Sequence, residues 1–373
     1  MHAPVYLDHH ATTPVDPRVL EAMLPYFGVR FGNAASRTHR FGWEAEQAVE
    51  LARRRIADLV GASPRDIVFT SGATESNNLA LKGIAVRHIV TMATEHPSVL
   101  DPLKHAFVTV LRPRPDGLID LEELRAAIRP ESGLVSVMYA NNEIGIIQPI
   151  REIGAICREK GVLFHCDAVQ AFGKIPVDVE ADGIALMSLS AHKIYGPKGA
   201  GALYVRRSRV RLAPQIEGGG HEGGLRSGTL NVPGIVGFGE AAALCALEMP
   251  AESARIAALR DRLLAALQSG DLALHINGAI NPRLPGNLNL SFPGISAEAL
   301  LMSLPEIAVS TGSACSSSSA APSHVLRALG LSADLLRSSV RFGIGRFNTE
   351  EEIDYAASRV VESVSRLRSL APV

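Results

Sequence analysis

Cysteine is scarce in this chain: there are four among 373 residues, and no two form a C-x-x-C pair. In a chain of this size without a secretion signal, such scatter argues against a disulfide framework. Cys157 and Cys245 lie on helical patterns and Cys166 in an apolar strand, so we expect these three to fill the core. Cys315 differs, because its surroundings, STGSACSSSSAAPS (310–323), are small residues that cannot build a core.

Strong net charge and long apolar runs are also missing. The formal net charge is −1, which gives no reason to expect nucleic acid or an anionic membrane as a partner. No uninterrupted apolar run reaches the roughly 18 residues of a membrane span. The first residues, MHAPVYLDHHATTP, lack the basic and apolar regions of a signal peptide. We therefore expect a cytoplasmic protein with reduced thiols.

Strand-like and helix-like segments alternate through the middle of the chain, and its length favours two domains. The strand-like segments are short, rich in β-branched residues and apolar throughout, which predicts a mostly parallel sheet covered by helices. They are IVFT (67–70), HIVTM (88–92), VTVL (108–111), LVSVMY (134–139), VLFHC (162–166), ALMSLS (185–190) and ALYV (202–205). This α/β domain would span residues 15–250. Residues 1–14 and 251–373 would form a smaller α+β domain that carries the loop around Cys315.

Two segments place ligand-binding groups where predicted strands end. FTSGATESNNLALKG (69–83) turns through Gly72 into a helix, whose free N–H groups suit a phosphate, although an ordinary helix cap has the same sequence pattern. FHCDAVQ (164–170) ends a strand near Asp167, at the edge where open α/β sheets bind ligands. That carboxylate could pair with a metal, a ribose or a protonated ring nitrogen, or it could cap a helix.

A lysine and a histidine follow two further strand ends. Lys193, in SLSAHKIYGPKG (188–199), could form a Schiff base with an aldehyde cofactor, or be a solvated surface residue. Pyridoxal phosphate needs a phosphate-binding turn, a carboxylate for its pyridine nitrogen and a lysine for its aldehyde. Because the sequence supplies all three, His96 in TEHPSVLD (94–101) would suit stacking on the cofactor ring and proton transfer.

The whole chain resembles the cysteine desulfurases of bacterial iron–sulfur cluster assembly, in the class V aminotransferase group of fold-type I pyridoxal-phosphate enzymes. The resemblance covers nearly the whole chain and rests on motifs that occur in the same order. They are YLDHHATTPVDPRV, FGNAASRTHRFG, IVFTSGATESNN, NNEIG, HCDAVQ, SAHKIYGPKG, LRSGTLN, STGSACSSSS and SSVRFGIGRF.

The resemblance implies a role for each matching residue. Lys193 would hold the cofactor covalently, Asp167 would pair with its pyridine nitrogen, and His96 would stack on the ring and act as acid and base. The implied cofactor contacts are Ala73, Thr74, His96, Asp167, Gln170, Ser190, His192, Lys193 and Thr229, with Gln170 at the ring hydroxyl and Thr229 contributed by the other subunit of a homodimer. Asn142 and Arg341 would bind the substrate carboxylate.

The implied reaction converts L-cysteine to L-alanine and leaves the sulfur as a persulfide on Cys315. Only a thiolate attacks well, and His96 is the expected base. A loop of small residues could then swing towards an iron–sulfur scaffold protein or a tRNA-thiolation acceptor. We expect no resident metal site, although Cys315 could transiently ligate an iron–sulfur cluster together with a scaffold partner.

Some features depart from the family pattern and two other functions stay open. His9 and His10 stand where small or amide residues are common, Gly223 replaces a frequent arginine, and the chain ends at LRSLAPV where many scaffold-serving members continue. A selenocysteine lyase or small-amino-acid aminotransferase would share the cofactor site without needing Cys315. A sulfur-relay or scaffold protein would need Cys315 alone, which leaves Lys193 without a purpose.

Overall fold

The computed structural model describes residues 4–311 and 323–370. In this part of the chain the strands are β1 Val5–Tyr6, β2 Ile67–Thr70, β3 His88–Met92, β4 Phe107–Leu111, β5 Ser132–Ser136, β6 Leu163–Asp167, β7 Leu186–Ser190, β8 Gly201–Val205, β9 His275–Ile276, β10 Asn287–Ser291, β11 Ile307–Ala308 and β12 Ser339–Gly343. The α-helices are α1 Pro17–Met23, α2 Arg40–Leu59, α3 Ala73–Gly83, α4 Pro97–Leu100, α5 Leu121–Ala127, α6 Ile150–Lys160, α7 Val232–Ser269, α8 Ala297–Met302, α9 His324–Ala328, α10 Ala333–Arg337 and α11 Glu350–Leu370.

A seven-stranded sheet forms the centre of the larger part of the protein. Its strand order is β2-β8-β7-β6-β5-β3-β4. Strand β8 runs antiparallel to β2 and β7, and the other neighbours are parallel. Every residue of β2, β3, β7 and β8 is buried. Since successive side chains point to opposite faces, both faces of the sheet are covered, and the predicted α/β fold is confirmed.

The seven predicted strands are all present in this sheet. Their ends differ from the prediction by at most one residue, except for LVSVMY (134–139), where the strand is Ser132–Ser136. Beyond that strand the chain still follows β6, because the Tyr139 N–H donates to the Asp167 carbonyl at 2.9 Å. The residues after β5 therefore continue along the sheet towards its carboxyl edge.

Helix α7 has 38 residues and contains Pro250. Phe238 in its first half belongs to the core of the large sheet, whereas Leu263 in its second half belongs to a separate core. By length and composition alone α7 could cross a membrane, but 56% of its apolar window is buried inside the structure. Packing against α1, α2 and α11 accounts for that apolar surface. The division into domains near residue 250 stays a prediction.

The second core lies around a three-stranded antiparallel sheet, β12-β10-β9, and a two-stranded parallel pair, β1-β11. Val5 in β1 pairs with Ile307 in β11, and Asp8 bridges to Gly343 at the end of β12. The first residues of the chain therefore pack against strands from its last third. Residues 9–13 then pass to the carboxyl edge of the large sheet, where Thr13 N donates to the His192 carbonyl at 3.0 Å.

Candidate active site

The carboxyl edge of the parallel strands borders a cavity of about 370 Å³. Asp167 is the last residue of β6 and Ser190 the last of β7, so both reach the edge where open α/β sheets place ligands. Most of the site residues predicted from the sequence line this cavity: Ala73, Thr74, His96, Asn142, Asp167, Gln170, Ser190, His192 and Lys193. The fold therefore brings the phosphate-binding turn, the carboxylate and the lysine together.

The first turn of α3 forms one wall of the cavity. Gly72 is its N-cap residue and contributes no side-chain cap, so the first N–H groups are left for another acceptor. Gly201 packs against this turn so closely that a Cβ atom there would lie 2.5 Å from the Gly72 Cα atom. Ser71, Thr74 and Lys198 line the same wall. Helix N–H groups, hydroxyls and an ammonium group together suit a phosphate.

Asp167 presents a firmly held carboxylate to the cavity. Its Oδ2 accepts a bond from Asn77 Nδ2 at 2.8 Å, and its Oδ1 accepts one from the Val169 N–H at 3.1 Å. The residue is 6% exposed. A carboxylate held in this way is placed to pair with the protonated ring nitrogen of a cofactor.

Lys193 lies in the 3₁₀ turn Ala191–Lys193 that follows β7, and it is buried. Its Nζ donates to the His10 carbonyl at 2.7 Å and to the Ala11 carbonyl at 2.6 Å. Sequence reasoning placed the lysine correctly at the strand end but did not find these partners. These partners belong to the N-terminal motif YLDHHATTP, which holds the lysine amine at the cavity wall.

The neighbouring His192 is held by the same N-terminal segment. Its Nδ1 lies 3.0 Å from Thr12 Oγ1, and its carbonyl accepts a bond from Thr13 Oγ1 at 3.0 Å. Burial, followed by the charge of Lys193, lowers the pKa of His192 to about 4. The ring is therefore neutral at physiological pH and can offer one N–H group as a hydrogen-bond donor.

Gln170 has three hydrogen-bond partners behind the cavity wall. Its Oε1 lies 2.9 Å from His10 Nδ1 and accepts a bond from Lys174 Nζ, also at 2.9 Å. Its Nε2 donates to the His10 carbonyl at 2.9 Å. Lys174 was not singled out by the sequence, because a lysine four residues after a site residue resembles any surface lysine.

His96 caps the short helix α4 with its own ring. Its Nδ1 accepts a bond from the Ser98 N–H at 3.1 Å and lies 2.8 Å from Ser98 Oγ. Burial lowers the pKa of His96, with Asp167 acting in the opposite direction. The neutral ring therefore carries its proton on Nε2 and can give it away there. In the other tautomer Nδ1–H would donate to Ser98 Oγ, and Nε2 could accept a proton.

Arg341 lies beside the cavity but does not line it. It is fully buried in β12, where its Nη1 donates to the Asn142 carbonyl at 2.9 Å and its Nη2 to Asp8 Oδ1 at 2.7 Å. Its Nε has no hydrogen-bond partner among residues 4–311 and 323–370. Asn142, by contrast, lines the cavity, so the guanidinium reaches the site through the backbone of that residue.

A further predicted site residue, Thr229, does not line this cavity. It is exposed, and its expected place is the cavity of the other subunit. Cys315 falls outside the described residues, so its role stays a prediction. The other cysteines, Cys157, Cys166 and Cys245, are buried as expected, and burial raises their thiol pKa values, to about 12 for Cys157 and about 11 for Cys245.

Two buried acids beside the site were not found from the sequence. Glu95 accepts a bond from the Met138 N–H at 2.7 Å, and burial raises its pKa well above the usual range. Glu143 follows Asn142, and its Oε2 accepts a bond from Ser323 Oγ at 2.5 Å. Within the described ranges no cluster of three or more His, Cys, Asp or Glu side chains is arranged to hold a metal ion.

Known proteins of one family are similar to this chain. The model of the family named aminotransferase class-V matches residues 5–356. The chain is 58% identical over 386 aligned positions to the cysteine desulfurase IscS of Anaeromyxobacter dehalogenans (strain 2CP-C), covering 100% of this chain and 95% of that protein. Among solved structures, a NifS-like protein has a TM-score of 0.91 at 38% identity and covers 98% of this chain and 100% of its own. A structure of SspA in complex with cysteine has a TM-score of 0.82 at 38% identity, covering 92% and 100%.

The chain therefore belongs to the class-V aminotransferase family, whose members depend on pyridoxal phosphate. Within that family it is a cysteine desulfurase. The cavity fits the cofactor, because the first turn of α3 suits its phosphate, Asp167 suits its ring nitrogen, and Lys193 supplies an amine for its aldehyde. When bound, this cofactor supplies an electron sink for charge that develops on the substrate carbon.

Proposed function

We propose that this enzyme takes sulfur from free L-cysteine in the cavity and holds it on Cys315 for iron–sulfur cluster assembly. The observation that carries the proposal is the grouping of Lys193, Asp167 and the first turn of α3 around one cavity. A sister activity on the same cofactor would need these groups as well, but it would leave Cys315 unused.

The transfer balances without any outside oxidant or reductant. The Cys315 thiolate attacks the substrate sulfur, the new S–S bond forms, and the carbon–sulfur bond of the substrate breaks. The substrate carbon takes a proton and becomes the methyl group of L-alanine. In total, L-cysteine and one enzyme thiol become L-alanine and one enzyme persulfide.

The residues of the cavity take complementary parts in this proposal. Lys193 binds the cofactor, Asp167 keeps its ring nitrogen protonated, and Gln170 donates to its ring oxygen. Ala73, Thr74, Ser190 and His192 surround the phosphate, with Thr229 reaching it from a second subunit. The support for these parts is that all of these residues except Thr229 line the cavity.

His96 moves the protons that the transfer requires. In the tautomer in which Nδ1–H donates to Ser98 Oγ, Nε2 accepts the proton of the Cys315 thiol, which makes the reactive thiolate. Once the carbon–sulfur bond has broken, Nε2–H gives this proton to the substrate carbon. Asn142 and Arg341 hold the substrate carboxylate. The support is that Asn142 lines the cavity and that the Arg341 Nη1 donates to the Asn142 backbone carbonyl at 2.9 Å.

Two sets of variants test this proposal. Borohydride reduction of the wild-type holoenzyme should trap the cofactor on Lys193, and Lys193→Ala should trap none. For the thiols, Cys315→Ser should abolish both alanine and persulfide formation, whereas Cys157→Ser, Cys166→Ser and Cys245→Ser should keep both activities. Full alanine release by Cys315→Ser, or a trapped pyridoxyl group elsewhere in Lys193→Ala, would refute the assignments.

A second copy of the chain is the proposed partner of an exposed apolar patch. The patch lies in the connection that follows α1 and in the first turn of α2, and it consists of Phe27, Val29, Phe31, Phe41 and Trp43, each at least half exposed. The Phe31 and Phe41 rings stack with centroids 5.3 Å apart. Such a cluster of large exposed side chains is typical of an interface, and a homodimer would also give Thr229 a second cavity to reach.

Sedimentation measures this directly. We expect a dimer for the wild type and a monomer for the double variant Phe31→Ser/Phe41→Ser. Met302→Ser, which changes an exposed apolar residue on α8 far from the patch in sequence, serves as the control. A patch variant that remains dimeric would contradict the proposed interface.

The sulfur acceptor is proposed to be an iron–sulfur scaffold protein in the cytoplasm, with tRNA-thiolation proteins as further acceptors. Labelled cysteine carrying sulfur-35 should load the wild type and then pass label to a purified scaffold protein. Cys315→Ser should pass none. Loading without transfer to any candidate acceptor would leave the desulfurase reaction standing and remove the proposed partner.

A further inference from the structure

A second lysine lies directly behind the Gln170 side chain. Lys174 Nζ donates to Gln170 Oε1 at 2.9 Å, and the Lys174 carbonyl accepts a bond from Ser253 Oγ at 2.6 Å. Lys174 is partly buried. The reaction proposed above assigns no role to this amine, although the amine contacts Gln170, which lines the cavity.

Each end of the Gln170 amide meets a partner that can act in only one way. The His10 carbonyl can only accept, and it takes a bond from Nε2 at 2.9 Å. In its ammonium form Lys174 can only donate, and it donates to Oε1. His10 Nδ1 also lies 2.9 Å from Oε1, so in the neutral ring this nitrogen carries the proton. The orientation of the amide is therefore fixed by its partners.

This orientation decides which group Gln170 offers to the cavity. The bond to the His10 carbonyl uses one of the two Nε2–H groups, and Gln170 lines the cavity. The remaining N–H, rather than the carbonyl oxygen, is then available to a ligand there. An N–H donor stabilises a negatively charged oxygen, whereas an amide oxygen in the same place would repel it.

The same network connects the two lysines. Lys193 Nζ donates to the His10 carbonyl that also accepts from Gln170, and both lysines line a second, small cavity of about 30 Å³. Burial, followed by the charge of Lys193, lowers the pKa of Lys174 to about 7. The ionisable and charged groups that interact with Lys174 from the surrounding elements are His9, His10, His192, Lys193, Cys245, Glu252 and Arg341.

We propose that Lys174 is a positioning residue that holds the Gln170 N–H towards the cofactor's ring oxygen. In this way it lowers the proton affinity of the nitrogen through which Lys193 holds the cofactor. The ring oxygen carries most negative charge when that nitrogen is unprotonated, because no neighbouring proton then offsets the charge. The Gln170 N–H therefore stabilises the unprotonated form more than the protonated one. The inference rests on the proposed attachment of the cofactor to Lys193.

The test is a pH titration of the yellow absorption band of the bound cofactor in the holoenzyme. Lys174→Met removes the amine and keeps the chain length, Lys174→Arg keeps a donor, and the exposed Lys160→Met is the control. We expect the midpoint to rise by about one pH unit in Lys174→Met, a tenfold change in proton affinity. Lys174→Arg should have a midpoint close to that of the wild type, because it keeps the donor. Lys160→Met should titrate like the wild type.

A double-variant comparison separates positioning from a direct effect of charge. In the Gln170→Leu background, Lys174→Met should cause no further shift, because the amide through which Lys174 acts is gone. An equal shift in both backgrounds would overturn the proposal, as would a wild-type midpoint in Lys174→Met. If Lys174→Met does not fold, Lys174→Leu, which also lacks a donor, takes its place in the same cycle. A wild type without the absorption band would instead refute the attachment to Lys193, so the two failures are distinct.

Cofactor affinity gives a second measurement that does not depend on turnover. Apoenzyme titrated with pyridoxal phosphate should show about tenfold weaker binding in Lys174→Met, in line with the loss of one hydrogen bond to a charged oxygen. Gln170→Leu and the double variant should bind as weakly as each other. A double variant that binds much more weakly than Gln170→Leu would show that Lys174 acts independently of the amide.

Discussion

Glu143 makes the stability of this protein depend on pH in a way that can be measured. Its side chain is 4% exposed, and Ser323 is its hydrogen-bond partner. Burial raises the pKa of Glu143 from 4.5 to about 7, against smaller opposing effects of Ser323 and Arg341. The folded protein therefore keeps a proton there over a range in which the unfolded chain has lost it.

The sign and size of the effect follow from this difference. Because the folded state binds more protons, the stability due to Glu143 is fully present below about pH 4.5 and is lost as the pH rises through 7. At about 1.4 kcal/mol for each pH unit, the loss over this window is roughly 3 kcal/mol. Glu143→Gln removes the titration and keeps a carbonyl oxygen for Ser323. Relative to the wild type, the variant should gain roughly 3 kcal/mol between about pH 4.5 and about pH 8.

Urea unfolding of the cofactor-saturated enzyme, followed by circular dichroism at both pH values, measures this gain. Glu152→Gln, on the exposed face of α6, is the matched control and should show no such change. A Glu143→Gln difference that stays constant within about 1 kcal/mol across the range would refute the reasoning. That result would mean that Glu143 is not held neutral in the folded protein.

Three further substitutions have defined outcomes. Gly201→Ala forces a methyl group against the turn before α3, so we expect thermal unfolding to show a stability lower by about 1–3 kcal/mol. Dialysis should show weaker cofactor binding, and wild-type binding would contradict this close packing. Glu222→Ala leaves Arg53 without its bidentate partner and should cost about 3 kcal/mol in urea unfolding, and a cost below about 1 kcal/mol would argue against the pair. Asn77→Leu removes a donor to Asp167 and should lower the desulfurase rate about tenfold with little change in KM, an expectation that an unchanged rate would overturn.

Sequence reasoning succeeded where local pattern and global fold agree. The strands of the large sheet are short apolar runs between helices, and this pattern survives because both faces of the sheet are buried. The cavity residues at strand ends followed from the same logic, since parallel strands direct their carboxyl ends to one edge. Asp167, Ser190 and Lys193 all lie there.

Partners that are distant in sequence could not be found in this way. The His10 and Ala11 carbonyls hold Lys193, yet a backbone carbonyl has no signature in an amino-acid sequence. Glu143 and Lys174 likewise resemble ordinary charged residues until the fold buries them. The continuity of α7 has no clear signature in the sequence either, because a proline normally ends or kinks a helix, whereas α7 runs through Pro250 and packs into a separate core on each side of it.

The pairing of β1 with β11 also has a consequence for the order in which the protein can be made. Val5 cannot pair until Ile307 has been synthesised, nor Asp8 until Gly343 has been. The first residues to leave the ribosome are therefore among the last to form their native contacts. At about 5–20 residues per second, this wait lasts tens of seconds. During that time the segment that carries the His10 and Ala11 carbonyls lacks these native strand pairings, so it is not yet positioned to bond Lys193. A nascent chain cut off before β12 should therefore be unable to retain the cofactor, however well its large sheet has formed.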